Sequence, residues 1–228
     1  QAFIAEAKKL FENDVTFSTM SLIMGIPQKL GDKNKALAIE FYKELQPIVA
    51  ESKIPRLASY AAKFPGMARK LDLVGNSIDL KGTLLNGEQV DWSAYEGKVV
   101  LVDFWATWCG PCIAELPNVK KNYDLYHSKG FEVLGVSLDT SAEKVEAFVK
   151  KRELAWDTLY SADKKAQGWN HPMANYYGVN SIPMAVLVGK DGKVITLNAR
   201  GPALGKELEK LLGKPEPVED TTETGAEK

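Results

Sequence analysis

The sequence predicts an α/β fold, a central mixed sheet with helices on both faces, preceded by a helical N-terminal extension. Three observations carry this expectation. From about Leu73 onward, apolar segments of strand length alternate with amphipathic helical ones. Asn86-Gly87 and Asp191-Gly192 mark two tight turns, the second flanked by apolar runs that suit a hairpin. The first seventy or so residues instead carry apolar positions at helical spacing.

In that first region Phe3, Ala7 and Phe11 share one helical face, and Leu37, Phe41, Leu45 and Ile48 share another. Gly25, Pro27 and Gly31 punctuate the stretch between them. A further helix is expected from Pro55, a good first-turn residue, to Phe64, where Pro65-Gly66 should break it. The region holds no catalytic constellation, so it reads as a packing or partner-docking appendage.

The sheet elements follow in order. Val99 to Ala106 is an apolar run suited to a buried central strand. A helix should begin at Cys109 and run to about Lys129, with the next strand over Phe131 to Leu138. Thr140 and Glu143 form a capping box for a helix carrying Val145, Phe148 and Val149. Trp156 to Tyr160 reads as a strand, and Lys165 to Tyr177 as a helix. Met184 to Val188 and Val194 to Leu197 should pair across Asp191-Gly192. Leu204, Leu208, Leu211 and Leu212 give a last helix one apolar face, and Gly213 ends it. The expected organisation is thus a helical region over 1–72, an α/β domain over 73–213 and an acidic, mobile tail over 214–228.

Composition narrows the function. A formal charge of -1 argues against a nucleic-acid binder, which would show a basic patch. No apolar run is long enough to cross a bilayer. The chain opens on Gln1 rather than Met, so a signal peptide or membrane tether is expected upstream. Cys109 and Cys112 are the only cysteines. A disulfide-stapled scaffold needs more of them, and a structural zinc site needs four ligands, for which His127 and His171 are not suitably spaced. Neither a metal nor an organic cofactor is therefore expected. The absence of stray thiols suits an oxidising compartment.

The chemistry centres on Trp108-Cys109-Gly110-Pro111-Cys112. A helix N-terminus offers unpaired N–H groups and a positive dipole end, which lower a thiol's pKa there. Cys109 is then the attacking thiol, and Cys112, one turn further in, can resolve a mixed disulfide. Gly110 gives the turn room, and Pro111 suits an early helical position. The bland alternative is a short inert disulfide. Asp103 sits in the apolar strand six residues before Cys109, where burial raises a carboxylate's pKa. It could take the Cys112 proton, or occupy a solvent-facing strand position. Glu115, three residues beyond Cys112, could share that work or face solvent. Ile182-Pro183 precedes the strand from Met184, and a cis bond there would expose backbone for pairing with a peptide.

Val102-Asp103-Phe104-Trp105-Ala106 leading into the cysteine motif, with Pro117 beyond it, resembles the thioredoxin active-site segment. Ile182-Pro183 resembles the cis-proline loop of that family. Cys112-Ile113-Ala114-Glu115-Leu116-Pro117, the leading hairpin over Gly82 to Trp92 and the added segment near Ser141 to Tyr177 are more similar to the TlpA/ResA-like branch. The resemblance covers about Leu73 to Gly213. It implies a thioredoxin-like fold and a thiol–disulfide oxidoreductase, with Trp108, Gly110, Pro111, Ile182 and Pro183 in the substrate-binding surface. It also implies a periplasmic or otherwise extracytoplasmic bacterial setting. The partners implied are disulfide-containing client proteins and an electron donor, expected to be a membrane thiol reductant.

Two other readings compete. A thiol peroxidase of the peroxiredoxin type would carry Pro and Thr or Ser seven and three residues before the nucleophile, where this chain has Val102 and Ala106. A partner-binding module with a vestigial redox pair would bind equally well oxidised or reduced.

Overall fold

The computed structural model describes residues 2–12 and 33–215, with isolated positions 16, 18, 19, 21, 25, 27 and 30 between them. Helix α1 (Ala2–Glu12) buries Ile4, Ala7 and Phe11, while the Phe3 side chain lies outside the described residues. Gly25 and Pro27 are helical rather than breaks, and Gly31 lies outside the described residues, as does the tail from 216 on. In α2 (Lys35–Ala50) the buried face is Ala38, Phe41, Tyr42, Leu45 and Val49, leaving Leu37 and Ile48 half-buried. Asn34 caps it by accepting from the Leu37 N–H at 3.1 Å.

The expected break at Pro65-Gly66 is absent. Helix α3 (Pro55–Tyr60) passes through a 3₁₀ turn (Ala61–Lys63) directly into α4 (Phe64–Leu71). Pro65 falls in the first turn of α4, where the N–H it lacks has no intrahelical partner to lose. Gly66 serves close packing instead. A Cβ built there would lie 1.9 Å from the Asn175 carbonyl oxygen. Gly66→Ala must therefore push α4 off the segment around Asn175. We expect a loss of about 1–3 kcal/mol, measured as a lower urea midpoint at unchanged slope.

The sheet runs β3-β2-β1-β4-β5. The parallel trio is β1 (Val99–Trp105), β2 (Phe131–Ser137) and β3 (Thr158–Leu159), and β4 (Met184–Val188) and β5 (Val194–Thr196) pair antiparallel on the other side. Every residue of β1 is buried, because a central strand is covered on both faces. Gly135 is the one point of β2 where a side chain would not fit. A Cβ there would stand 2.9 Å from the Trp105 indole nitrogen, so the absent side chain admits the fully buried ring.

Three local expectations are corrected. Strand β3 is two residues long rather than five, and the expected helix over Lys165 to Tyr177 is two 3₁₀ turns (Lys164–Ala166, Gly168–Asn170) followed by α7 (Pro172–Tyr176). Gly168 at φ 59° and Pro172 account for the breaks, since one favours a left-handed turn and the other starts a helix. Helix α6 (Ala142–Arg152) is capped by Ser141, not Thr140. The Ser141 hydroxyl accepts from the Lys144 N–H and donates to Glu143. The segment around Asn86-Gly87 turns back as a short hairpin, as expected, with an antiparallel bridge from Thr83 to Gln89 and the Leu84 and Val90 N–H groups donating to the Glu88 and Gly82 carbonyls. In α8 (Pro202–Leu212) the expected apolar face is present: Leu204 and Leu208 are buried, and half-buried Leu211 and Leu212 pack against the same core.

Two hydrophobic cores result. One surrounds the sheet from Leu73 to Leu208, and the other joins α1 through α4 around Phe41, Leu45, Leu57 and Phe64. They meet where Arg69 lies 3.6 Å over the Tyr176 ring and donates to the Tyr176 carbonyl. The Tyr177 hydroxyl ties the same seam to the Asp79 backbone, donating to its carbonyl at 2.7 Å and accepting from its N–H at 2.8 Å.

Candidate active site

Helix α5 (Gly110–Tyr126) starts one residue later than expected, because Cys109 is its cap rather than its first turn. Its backbone is extended, and its sulfur accepts from the Cys112 N–H at 3.2 Å. The sulfur thus occupies the place where an N-cap oxygen would sit, and a thiolate there would gain both that donor and the dipole. Cys109 and Cys112 form a disulfide. Both are buried, while Gly110 and Pro111 are exposed beside them.

Thr107 fixes the approach to this cap. Its N–H and hydroxyl both donate to the Asp139 carboxylate, at 2.9 and 2.6 Å, and Ser137 donates to the same group at 2.9 Å. Asp139 is buried just beyond β2, and these donors satisfy its carboxyl oxygens. Sequence reasoning missed it. The signal was present as an acid directly after the apolar run of β2, at the strand end facing the cysteine loop.

Asp103 is buried in β1, 8% exposed, which excludes the solvent-facing alternative. Its pKa is raised to about 7, by desolvation first and by the neighbouring Glu115 second, with Arg200 pulling the other way. Glu115 is half-buried rather than solvent-facing. Its Oε1 accepts from the Gly201 N–H and from Asn118, both at 2.6 Å, so this carboxylate also staples α5 to the start of α8.

The Ile182-Pro183 peptide bond is cis. Met184 pairs with Phe104, so the segment lies at the end of the sheet where β1 releases the chain toward Cys109. Trp108 is 56% exposed, and its ring centroid lies 6.3 Å from that of Trp169. The two histidines have local structural partners. His127 stacks on Tyr123, and buried His171 caps α7 by accepting from the Met173 N–H, with desolvation lowering its pKa to about 4. Among the described residues no cluster of His, Cys, Asp or Glu could hold a metal ion.

A redox-capable cysteine pair at a helix start, released from the central strand of a mixed sheet, defines a thioredoxin-fold thiol–disulfide oxidoreductase. The Redoxin family model matches residues 50–212, taking in α3 and α4 as well as the sheet. The thiol-disulfide oxidoreductase ResA of Bacillus thuringiensis subsp. konkukian is 33% identical over 145 residues, which is 64% of this chain and 79% of that protein. ResA of Geobacillus thermodenitrificans is 34% identical over 110 residues, 48% of this chain and 59% of that protein. Among solved structures, the thioredoxin domain of a thiol-disulfide oxidoreductase from Bacteroides vulgatus superposes with a TM-score of 0.55 at 28% identity. It covers 61% of this chain and 97% of its own. A thiol:disulfide interchange protein from Bacteroides sp. gives 0.54 at 27% identity, over 64% of this chain and 95% of its own. The chain belongs to the Redoxin family, in its TlpA/ResA-like branch.

Proposed function

We propose that the reduced Cys109–Cys112 pair reduces disulfides in client proteins. The observation that carries this reading is the cysteine pair at the start of α5, with Cys109 as cap and Asp103 buried in the adjoining strand. The Cys109 thiolate attacks one sulfur of the client disulfide. A Cys109–client bond forms, the client S–S bond breaks, and one client thiolate leaves. Cys112 then gives its proton to Asp103, with Glu115 assisting, and attacks the Cys109 sulfur. The second client thiolate departs, the client has gained two electrons, and the pair is again a disulfide. Trp108, Gly110, Pro111, Ile182 and Pro183 form the surface against which the client chain lies.

The same reading divides the chain into a helical region over 1–72, a thioredoxin-like domain over 73–213 and a tail over 214–228, supported by the two separate cores. It places the protein in the periplasm or another extracytoplasmic space, with electrons supplied by a membrane thiol reductant. The absence of any cysteine besides the pair supports that setting. Among the described residues no helix is long and apolar enough to cross a membrane.

Equilibration against glutathione tests the direction of exchange. A reductase should have a potential nearer to about -270 mV than to about -120 mV, the two ends of the thioredoxin-fold range. A value at the oxidising end would make the pair a disulfide donor.

A further inference from the structure

We infer that Trp169 and Trp108 together form a docking surface for an extended client segment carrying apolar side chains beside its disulfide cysteine. Two observations distinguish Trp169 from a stray surface aromatic. It is 38% exposed yet lies against Trp108, the residue immediately before Cys109, with the rings tilted by 58°. It is also held from below. The 3₁₀ turn over Gly168–Asn170 is closed by the His171 N–H donating to the Gly168 carbonyl at 3.0 Å, and Gln167 is anchored on the Tyr160 hydroxyl at 2.8 Å. Gly168 packs this turn against the end of β2, where an added Cβ would touch the Thr140 methyl at 3.7 Å and the Leu138 carbonyl at 3.8 Å. The opposite side of the pair is fixed through Thr107 and Asp139.

The chemistry of the occupant follows from the surface. Trp108, Trp169, Gly110, Pro111, Ile182 and Pro183 carry no charge, and all six are exposed or partly exposed. Two ordered indoles continuous with the exchange site offer large contact area at small conformational cost, and tryptophans of this kind often dominate binding energy. A charged client side chain would lose hydration against these six uncharged residues. The client side chain next to the cystine is therefore selected for apolar character, by a residue outside the cysteine motif. That role rests on the exchange reading above, but binding can be measured without exchange.

The test uses oxidised protein and two short peptides, each with serine in place of the client cysteine. One peptide carries leucine on both sides of the serine and the other glutamate. The wild type should bind the leucine peptide about tenfold more tightly, Trp169→Ala should lose about tenfold and with it the preference, and Trp169→Phe should retain most of both. With the matching cystine peptides, Trp169→Ala should raise KM and leave kcat unchanged. A wild type without preference, an alanine variant that keeps it, or a phenylalanine variant as weak as alanine would overturn the docking surface. Intact peptide binding without reduction of the cystine peptides would instead count against the reductase reading alone.

Discussion

Cys109→Ser should abolish reduction of insulin disulfides, whereas Cys112→Ser should keep the first attack and lose turnover. The expectation rests on the unequal places of the two sulfurs. Cys109 caps α5, so its thiolate would accept the Cys112 N–H and face the positive end of the helix. Cys112 lies within the first turn and has the lower exposure of the two. In the reduced protein an alkylating reagent should therefore modify Cys109 well before Cys112. Faster labelling of Cys112 would exchange the two roles.

Asp103 should give the second large effect, visible in both stability and kinetics. Its pKa is raised to about 7 by burial and by Glu115, while an unfolded aspartate titrates near 4. Between those values the folded state binds more protons than the unfolded state, so stability falls as pH rises through that window. Above about pH 7 the charged carboxylate costs the folded state on the order of 2–4 kcal/mol. Asp103→Asn removes that penalty and should flatten the pH dependence, with the largest gain near pH 8. Release of the mixed disulfide should suffer in return. Asp103→Asn combined with Glu115→Gln should slow that step about a hundredfold or more while changing the initial attack less. Urea denaturation from pH 4 to 8 and stopped-flow release measure the two halves. A gain in stability with no change in release would leave both carboxylates structural.

Much of this site was legible because its signals are long-range in pattern and few in number. The apolar run of β1 allowed only a buried strand, and the two cysteines had no other partners. The hairpin across Asp191-Gly192 was equally plain, since Gly192 supplies the left-handed residue that such a turn requires. The failures cluster where short segments obey neighbours rather than periodicity. Thr140 and Ser141 are adjacent hydroxyls that suit a cap equally well, and the backbone path alone chose Ser141. Pro65-Gly66 carries the composition of a break, yet proline starts α4 and glycine admits the Asn175 carbonyl. The segment around Trp169 has helix-compatible residues but is held in turns by Gly168, Pro172 and the His171 cap. Asp139 escaped notice because one acid at a strand end has no sequence partner. Its meaning appears only when Thr107 arrives from 32 positions away.

The central claim is that Cys109 captures a client sulfur and Cys112 releases it. Incubating Cys112→Ser protein with a disulfide client and mapping the product by mass spectrometry tests this most directly. The expected result is a stable mixed disulfide at Cys109, absent when Cys109→Ser protein is used instead and transient in the wild type. Capture of the client at Cys112 in the Cys109→Ser protein, with none at Cys109, would contradict the account.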